Sequence, residues 1–348
     1  MRIPGNPECP HERRDPMDKK EMRKKVFHFA GTLGKGLLKG AGFAGKTALK
    51  GVGTAGKLLG KGVSNGIKKL GELDRDDLVT VGCITAAAVA VPVFLTAPGR
   101  ASRERKAPFL LHNFAHRGLH SRDLTVPENS LKAFELAAGA GYGIELDVQL
   151  SRDGKVVVFH DADLSRVCGV KARVDELSFG ELQKLRLLNT EERIPMFEDV
   201  LAVIRGRGPL IVELKTGKRN RELCEKTWEI LKKYQGDFCI ESFDPTIVAW
   251  FRRHARSVIR GQLAAPAAEY AGQANRFTAF LLSRTLLNFL GRPHFIAYKI
   301  GRRPPTVRLS CALGAMNVGW TSHEVRNERG RAAVIFEFYR PKLVYRKR

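Results

Sequence analysis

Residues 108–348 alternate between two hydrophobic patterns. Short apolar runs fall at 113–115, 143–150, 156–160, 210–214, 238–242, 258–263, 295–299, 317–321 and 334–338, and they read as strands. Stretches with a helical apolar period lie between many of them, including 129–140, 197–205 and 221–234. Such alternation over 241 residues predicts a parallel α/β fold, and a (β/α)8 barrel fits the length. One junction is too short for a crossover helix. There Asp153-Gly154 predicts a tight hairpin; with those two residues at its centre Asp147 lies opposite His160, and a one-residue shift would oppose Glu145 instead. Residues 267–291 follow neither pattern and are expected to form an irregular insertion.

The pattern upstream is different. Residues 78–99 contain no charge, and a bilayer core needs about 20 apolar residues, so a transmembrane helix is expected at 78–98 with Pro92 tolerated as a kink. Before it, an eleven-residue repeat starts at Gly31, Gly42 and Gly53. Lys35, Lys46, Lys57 and Lys68 share one phase of that repeat. Eleven residues make close to three helical turns, so each lysine phase stays on one side of a helix. The segment 26–74 is therefore expected to become helical on an anionic lipid surface. Residues 1–25 are charged, contain prolines and lack an apolar period, which predicts disorder. No apolar core follows the first residues, so no signal peptide is expected. The lysine array tips the orientation toward a single-pass cell-membrane protein with its N-terminus inside and the barrel domain (108–348) outside.

Charge narrows the partners. The 348 residues carry a formal net charge of +24, and the excess is spread along the chain: 1–107 hold 21 Lys+Arg against 10 Asp+Glu, and 108–348 hold 39 against 26. A basic surface favours polyanions, whether nucleic acid, anionic lipid headgroups or phosphorylated substrates, and charge alone does not choose among them. Nucleic acid is not expected, because the basic segment nearly lacks aromatic residues for stacking. The six cysteines form no Cys-x-x-Cys pair, which argues against a zinc ribbon or a dense disulfide framework.

The candidate chemistry sits at strand ends. Alternate strand residues face one way, so Glu145 projects with Asp147 and Glu213 with Lys215. A Glu-x-Asp pair on a strand is commonly a solvated face, but these acids lie within strongly apolar runs. Glu145, Asp147 and Glu213 can supply the oxygens that a hard divalent cation requires. His116 and His160 each end a strand, where a barrel opens its active site. Two histidines beside a metal-bound phosphate can divide proton removal from proton donation, and Arg117 with Lys215 can hold the non-bridging oxygens. Trp320 can line the pocket or fill the core. His11, His28, His112, His120, His254, His294 and His323 have no comparable company and are read as structural.

From Phe114 to Lys215 the chain resembles the glycerophosphodiester phosphodiesterase family. The resemblance rests on His116-Arg117-Gly118, Pro127-Glu128-Asn129, Glu145-Leu146-Asp147-Val148, Asp153-Gly154 followed by His160-Asp161, and Glu213-Leu214-Lys215. Weaker echoes follow at Glu241-Ser242-Phe243-Asp244, Gly319-Trp320-Thr321 and Ile335-Phe336-Glu337. It implies a TIM-like barrel of the phospholipase-C-like phosphodiesterase type and a divalent cation, Ca2+ or Mg2+, held by Glu145, Asp147 and Glu213. It also implies an acid/base pair at His116 and His160, phosphate-binding cations at Arg117 and Lys215, and mouth residues at Glu128 and Asn129. The implied substrate is a glycerophosphodiester, cut to glycerol 3-phosphate and an alcohol. A lysophospholipase D or sphingomyelinase D type activity is the alternative within enzymes, and a membrane-linked barrel scaffold is the non-enzymatic one. The chain departs from the family at Ser130, where threonine is frequent, and at Ile335-Phe336-Glu337, where Ile-Thr-Asp is more usual.

Overall fold

The computed structural model of the protein describes residues 75–345. The readings of 1–25 and 26–74 fall outside the described residues. Eight parallel strands close into a barrel: β1 (His112–Ala115), β2 (Gly143–Leu150), β4 (Leu210–Leu214), β5 (Phe238–Ser242), β6 (Ile259–Ala264), β7 (Phe295–Lys299), β8 (Met316–Ser322) and β9 (Ala333–Phe336). Each pairs with the next, and β9 returns to β1. The remaining strand, β3 (Val156–Val158), pairs antiparallel with the end of β2. Helices α1 (Arg75–Thr96), α2 (Leu131–Gly139), α3 (Phe197–Ile204), α4 (Asn220–Leu231), α5 (Pro245–His254), α6 (Arg276–Ser283) and α7 (Pro305–Ala312) precede or connect the strands.

The period-two rule sorts the barrel's side chains. Ile144, Leu146 and Val148 of β2, with Leu210, Val212 and Leu214 of β4, join the core beneath α2 and α3. The opposite parity fills the interior, where Phe114, Ile211, Cys239, Phe295, Val318 and Ile335 form a separate cluster. One step further along the same parity the interior becomes polar, at His116, Asp147, Glu213 and Glu241. The lower rungs thus close the barrel with hydrocarbon and the upper rungs leave chemistry at the C-terminal mouth.

Two local features seat the site. Ser130 caps α2, its Oγ accepting the Ala133 N–H at 3.1 Å. Gly118 has φ +79°, and a Cβ there would lie 2.8 Å from the Ala133 carbonyl carbon. Backbone meets backbone at that point, so neither partner can yield. Gly118→Ala is expected to cost about 2 kcal/mol or more, from the left-handed conformation and the clash together. Chemical denaturation should show it, and an unchanged midpoint would contradict this packing.

Three expectations need correction. The hairpin is one residue out of the expected register: Val148 pairs with Val158, and the Phe159 N–H donates to the Asp147 carbonyl at 3.0 Å. A two-residue hairpin turn needs positive φ at its first centre, and in type I′ at both, whereas Asp153 lacks it and only Gly154, at +76°, has it. The chain makes a three-residue turn, with Gly154 donating to the Ser151 carbonyl. Second, 267–291 is not irregular, since it contains a 3-10 turn at Ala267–Tyr270 and then α6, capped by Asn275, whose side chain accepts the Thr278 N–H. Third, among the described residues no helix is long and apolar enough to cross a membrane. The helix covering most of 78–98 is α1, and its last turn is seated on the barrel domain through Thr96 and the carbonyls of Phe94 and Ala97. Thr96 is fully buried and its carbonyl accepts from Ser310, while Arg292 donates to the carbonyls of Phe94 at 2.7 Å and Ala97 at 3.0 Å. The uncharged run ahead of Pro92 is shorter than the roughly 20 residues a span requires.

Candidate active site

The mouth gathers a carboxylate cluster. Glu145 and Asp147 on β2 and Glu213 on β4 each offer an oxygen, and the three oxygens lie within 4.8 Å of one another. Register explains the convergence, because Asp147 is directly opposite Glu213 on the neighbouring strand. Glu241 is opposite Glu213 on the other side and is 1% exposed, and its Oε2 is buried without a hydrogen-bond partner.

Two cations partly offset the cluster. Lys215 Nζ lies 2.8 Å from Glu213 Oε1 and 3.3 Å from Asp147 Oδ1. Arg117 approaches Asp147 Oδ2 at 3.6 Å through Nε and donates to Glu128 Oε1 at 2.8 Å. Arg117 has φ +53°, and this backbone conformation accompanies an N–H that donates to Glu145 Oε2 at 3.0 Å. Asn129, with φ +55°, donates its side-chain amide to Asp147 Oδ2 at 2.8 Å and its backbone N–H to the Arg117 carbonyl.

The three acids respond differently. Burial pushes Glu145 well above the usual carboxylate range, and repulsion from Asp147, Glu213 and Glu241 adds to it. Glu213 is also raised, by burial first, against the pull of Lys215. Burial acts on Asp147 in the same direction, but Lys215, His160 and Arg117 outweigh it and hold that carboxyl well below its ordinary value. Glu241 is raised well above its ordinary value by burial and by Glu213 and Asp147. Four buried acids face two cations, so two negative charges lack a counterpart when all are ionised. Hard oxygens, an unpartnered buried oxygen and that residual charge fit a divalent cation held by Glu145, Asp147 and Glu213.

Both candidate histidines are held by carboxylates. His116 Nδ1 is 2.8 Å from Glu337 Oε2, and its Nε2 faces Glu145 Oε2 at 3.9 Å. Burial, helped by Arg117 and opposed by Glu337, brings its pKa down to about 4, so the ring is neutral near pH 7. His160 Nδ1 is 2.6 Å from Asp161 Oδ1, and Arg166 Nε contacts Asp161 Oδ2 at 2.6 Å. Arg166 continues to Glu128 at 2.6 Å, which joins the His160 side of the mouth to Arg117. His160 is close enough to Asp147 and Glu213 to favour their ionised forms. Trp320 is half-buried on the rim, its indole N–H donating to the Ala264 carbonyl at 3.1 Å and its ring 5.9 Å from that of Phe243.

All ten residues singled out from the sequence lie on β1, β2, β4, β8 or the loops at this end. Several partners were missed. Glu337 follows β9 by the same inward parity as Ile335, a signal obscured by the departure from Ile-Thr-Asp. His120 and His323, read as structural, share that carboxylate with His116, at 4.0 Å and 2.7 Å. Asp161 stood in the His160-Asp161 motif without a role of its own, and Arg166 carried no motif. Glu337→Gln is expected to lower turnover about tenfold or more with little change in KM, because the acceptor that orients the His116 ring loses its negative charge and its support for the imidazolium. Steady-state kinetics would check this, and wild-type turnover would remove Glu337 from the site.

The sequence profile of the Glycerophosphoryl diester phosphodiesterase family matches residues 116–324. The chain belongs to this family. A glycerophosphodiester phosphodiesterase of Bacillus altitudinis is 37% identical over 109 residues, covering 29% of this chain and 43% of that protein. A lysophospholipase D of Rattus norvegicus is 30% identical over 156 residues, 41% of this chain and 48% of that protein. The chain thus spans about half the length of these two relatives. An uncharacterized Bacillus subtilis protein, YqiK, is 32% identical over 177 residues, 48% of this chain and 70% of that protein. Among solved structures, an Oleispira antarctica phosphodiesterase in complex with the product sn-glycerol-3-phosphate superposes with a TM-score of 0.53 at 23% identity, covering 66% of this chain and 93% of that one. The likeness establishes for this family member the TIM-like barrel expected from its strand and helix pattern.

Proposed function

We propose that the chain hydrolyses glycerophosphodiesters to glycerol 3-phosphate and an alcohol with the help of a divalent cation, Ca2+ or Mg2+. The observation that carries this reading is the convergence of Glu145, Asp147 and Glu213 within 4.8 Å, with His116 beside them. When bound, the cation would offset the carboxylates and draw charge from the phosphoryl oxygens. Arg117 and Lys215 hold the non-bridging oxygens of the substrate phosphate. One of His116 and His160 takes a proton from the attacking water, whose oxygen forms the new bond to phosphorus. As the bond from phosphorus to the alcohol oxygen breaks, the other histidine gives that oxygen a proton. Glu337 and Asp161 each hold an imidazole through Nδ1, which leaves Nε2 as the nitrogen that moves the proton.

A second reading, lysophospholipase D type cleavage, is favoured by one observation: Phe243 and Trp320 stand half-buried and edge to face at the rim, backed by the buried Tyr270. Turnover of glycerophosphocholine and of lysophosphatidylcholine, each with and without chelator, tests both readings. Choline release from the lysolipid alone would favour the second, and no release from either would overturn both. Membrane lipid is proposed as the partner of segment 26–74.

A further inference from the structure

Residues 245–323 carry eleven Lys+Arg and a single acid, Glu269, which is itself paired with Lys299 at 2.6 Å. Within this basic stretch, α6 lies in the connection that leaves β6 at the mouth end of the barrel. Its inner side buries Ala279 and Ser283. Its outer side leaves Phe277 70% exposed and Phe280 43% exposed. Phe277, Phe280 and Arg284 are spaced three and four residues apart, so they share one face. The Arg284 guanidinium stands 4.1 Å from the Phe280 ring centroid, and Arg276 adjoins Phe277 in solvent.

Water is a poor solvent for an aromatic ring, so two rings left in it on one turn mark a surface made for contact. The company of arginines selects the partner. A second copy of this face would set arginine against arginine. A bilayer with anionic headgroups accepts both components, the rings below the headgroups and the guanidinium groups among the phosphates. The surface also connects to the catalytic opening. Ala279 and Leu282 pack around Tyr270, whose ring is 6.1 Å from Phe243, and Phe243 is 5.9 Å from Trp320.

We propose that α6 is an interfacial docking element that seats the mouth of the barrel on an anionic lipid bilayer. Phe277 and Phe280 enter the acyl boundary, and Arg276 and Arg284 engage lipid phosphates. This docking uses neither the catalytic residues nor segment 26–74. It places the barrel's opening against the headgroups, with the rings from Tyr270 to Trp320 leading inward.

The test uses the full chain carrying Phe277→Trp, with emission measured against the wild-type chain. Vesicles contain phosphatidylcholine with phosphatidylserine, or phosphatidylcholine alone, with and without brominated acyl chains. The expected result is a blue shift of the added emission and its loss on brominated anionic vesicles, with a weaker response on phosphatidylcholine. Leu313→Trp, at an exposed position leading into the start of β8 at the opposite end of the barrel, is expected to show neither change. Co-sedimentation of the chain with anionic vesicles while Phe277→Trp stays unshifted would mean that another segment does the binding, and would overturn the proposal. A dimer in sedimentation, with emission already shifted before vesicles are added, would assign the face to a second copy and overturn it equally. Hydrolysis of water-soluble glycerophosphocholine should be unaffected by Phe277→Trp. An inactive wild-type chain would refute the catalytic reading and leave the quenching result standing.

Discussion

His116→Ala should reduce kcat on a glycerophosphodiester by about a thousandfold, within the 10²–10⁴ range for loss of a positioned acid or base. That factor corresponds to about 4 kcal/mol of transition-state stabilisation. The size of the effect follows from the surroundings of the ring. His116 is held through Nδ1 by Glu337 and kept neutral by burial, and its Nε2 is turned toward the carboxylate cluster. Alanine leaves a small cavity at the mouth and does not disturb the apolar rungs below, so the thermal transition should move little. Substrate binding should also survive, because Arg117 and Lys215 remain, and the loss should fall on kcat with KM nearly unchanged. His160→Ala, measured in parallel, should show a loss of similar order. Full turnover in both variants would eliminate the proposed proton transfers. A collapse of the circular-dichroism signal would instead assign the histidines a structural role.

The second large effect concerns the cation. Chelation is expected to lower turnover by at least about a thousandfold, and Ca2+ or Mg2+ to restore it. A readout independent of activity follows from the charge imbalance. Glu145 and Glu241 are strained toward protonation by burial and by their neighbours. A divalent ion that binds only the folded state should raise the melting temperature, and saturation at a hundredfold excess over the dissociation constant would add about 3 kcal/mol. In Glu145→Gln this metal-dependent rise should shrink markedly, because one ligand and one negative charge are gone. The same substitution should stabilise the metal-free protein, since it relieves repulsion among buried carboxylates. Equal metal response in wild type and Glu145→Gln would move the ion elsewhere. Indifference of wild-type turnover to chelator would remove the ion from the reaction.

Much of the barrel was legible because its strands obey a strict parity. The expected bounds of β2, β4, β5 and β7 coincide with those observed, since each is an apolar run closed off by turn residues. The same parity placed Glu145 with Asp147 and Glu213 with Lys215 before any coordinates. What escaped reading depends on contacts between distant segments. The pairing of Glu337 with His116 spans 221 residues, and the link from Arg166 to Glu128 depends on how two loops lie together. The hairpin register turned on one residue, because Asp153-Gly154 suits a three-residue loop as well as a two-residue one. The α6 segment was opaque for a different reason. Its apolar residues face both the protein and the solvent, so no single amphipathic stripe marks it as a helix of a soluble domain. The same ambiguity applies to the end of α1, where a run suited to lipid is partly used as a seat on the barrel.

The position of the Lys215 ammonium between Glu213 and Asp147 has a bearing on how the protein is made. A tethered positive charge already quiets part of the acidic cup, so a newly synthesised chain can close its barrel before any ion arrives. Loading then resembles exchange at a finished socket more than metal-driven folding. A protein so built would be able to lose a bound ion and regain it many times without unravelling.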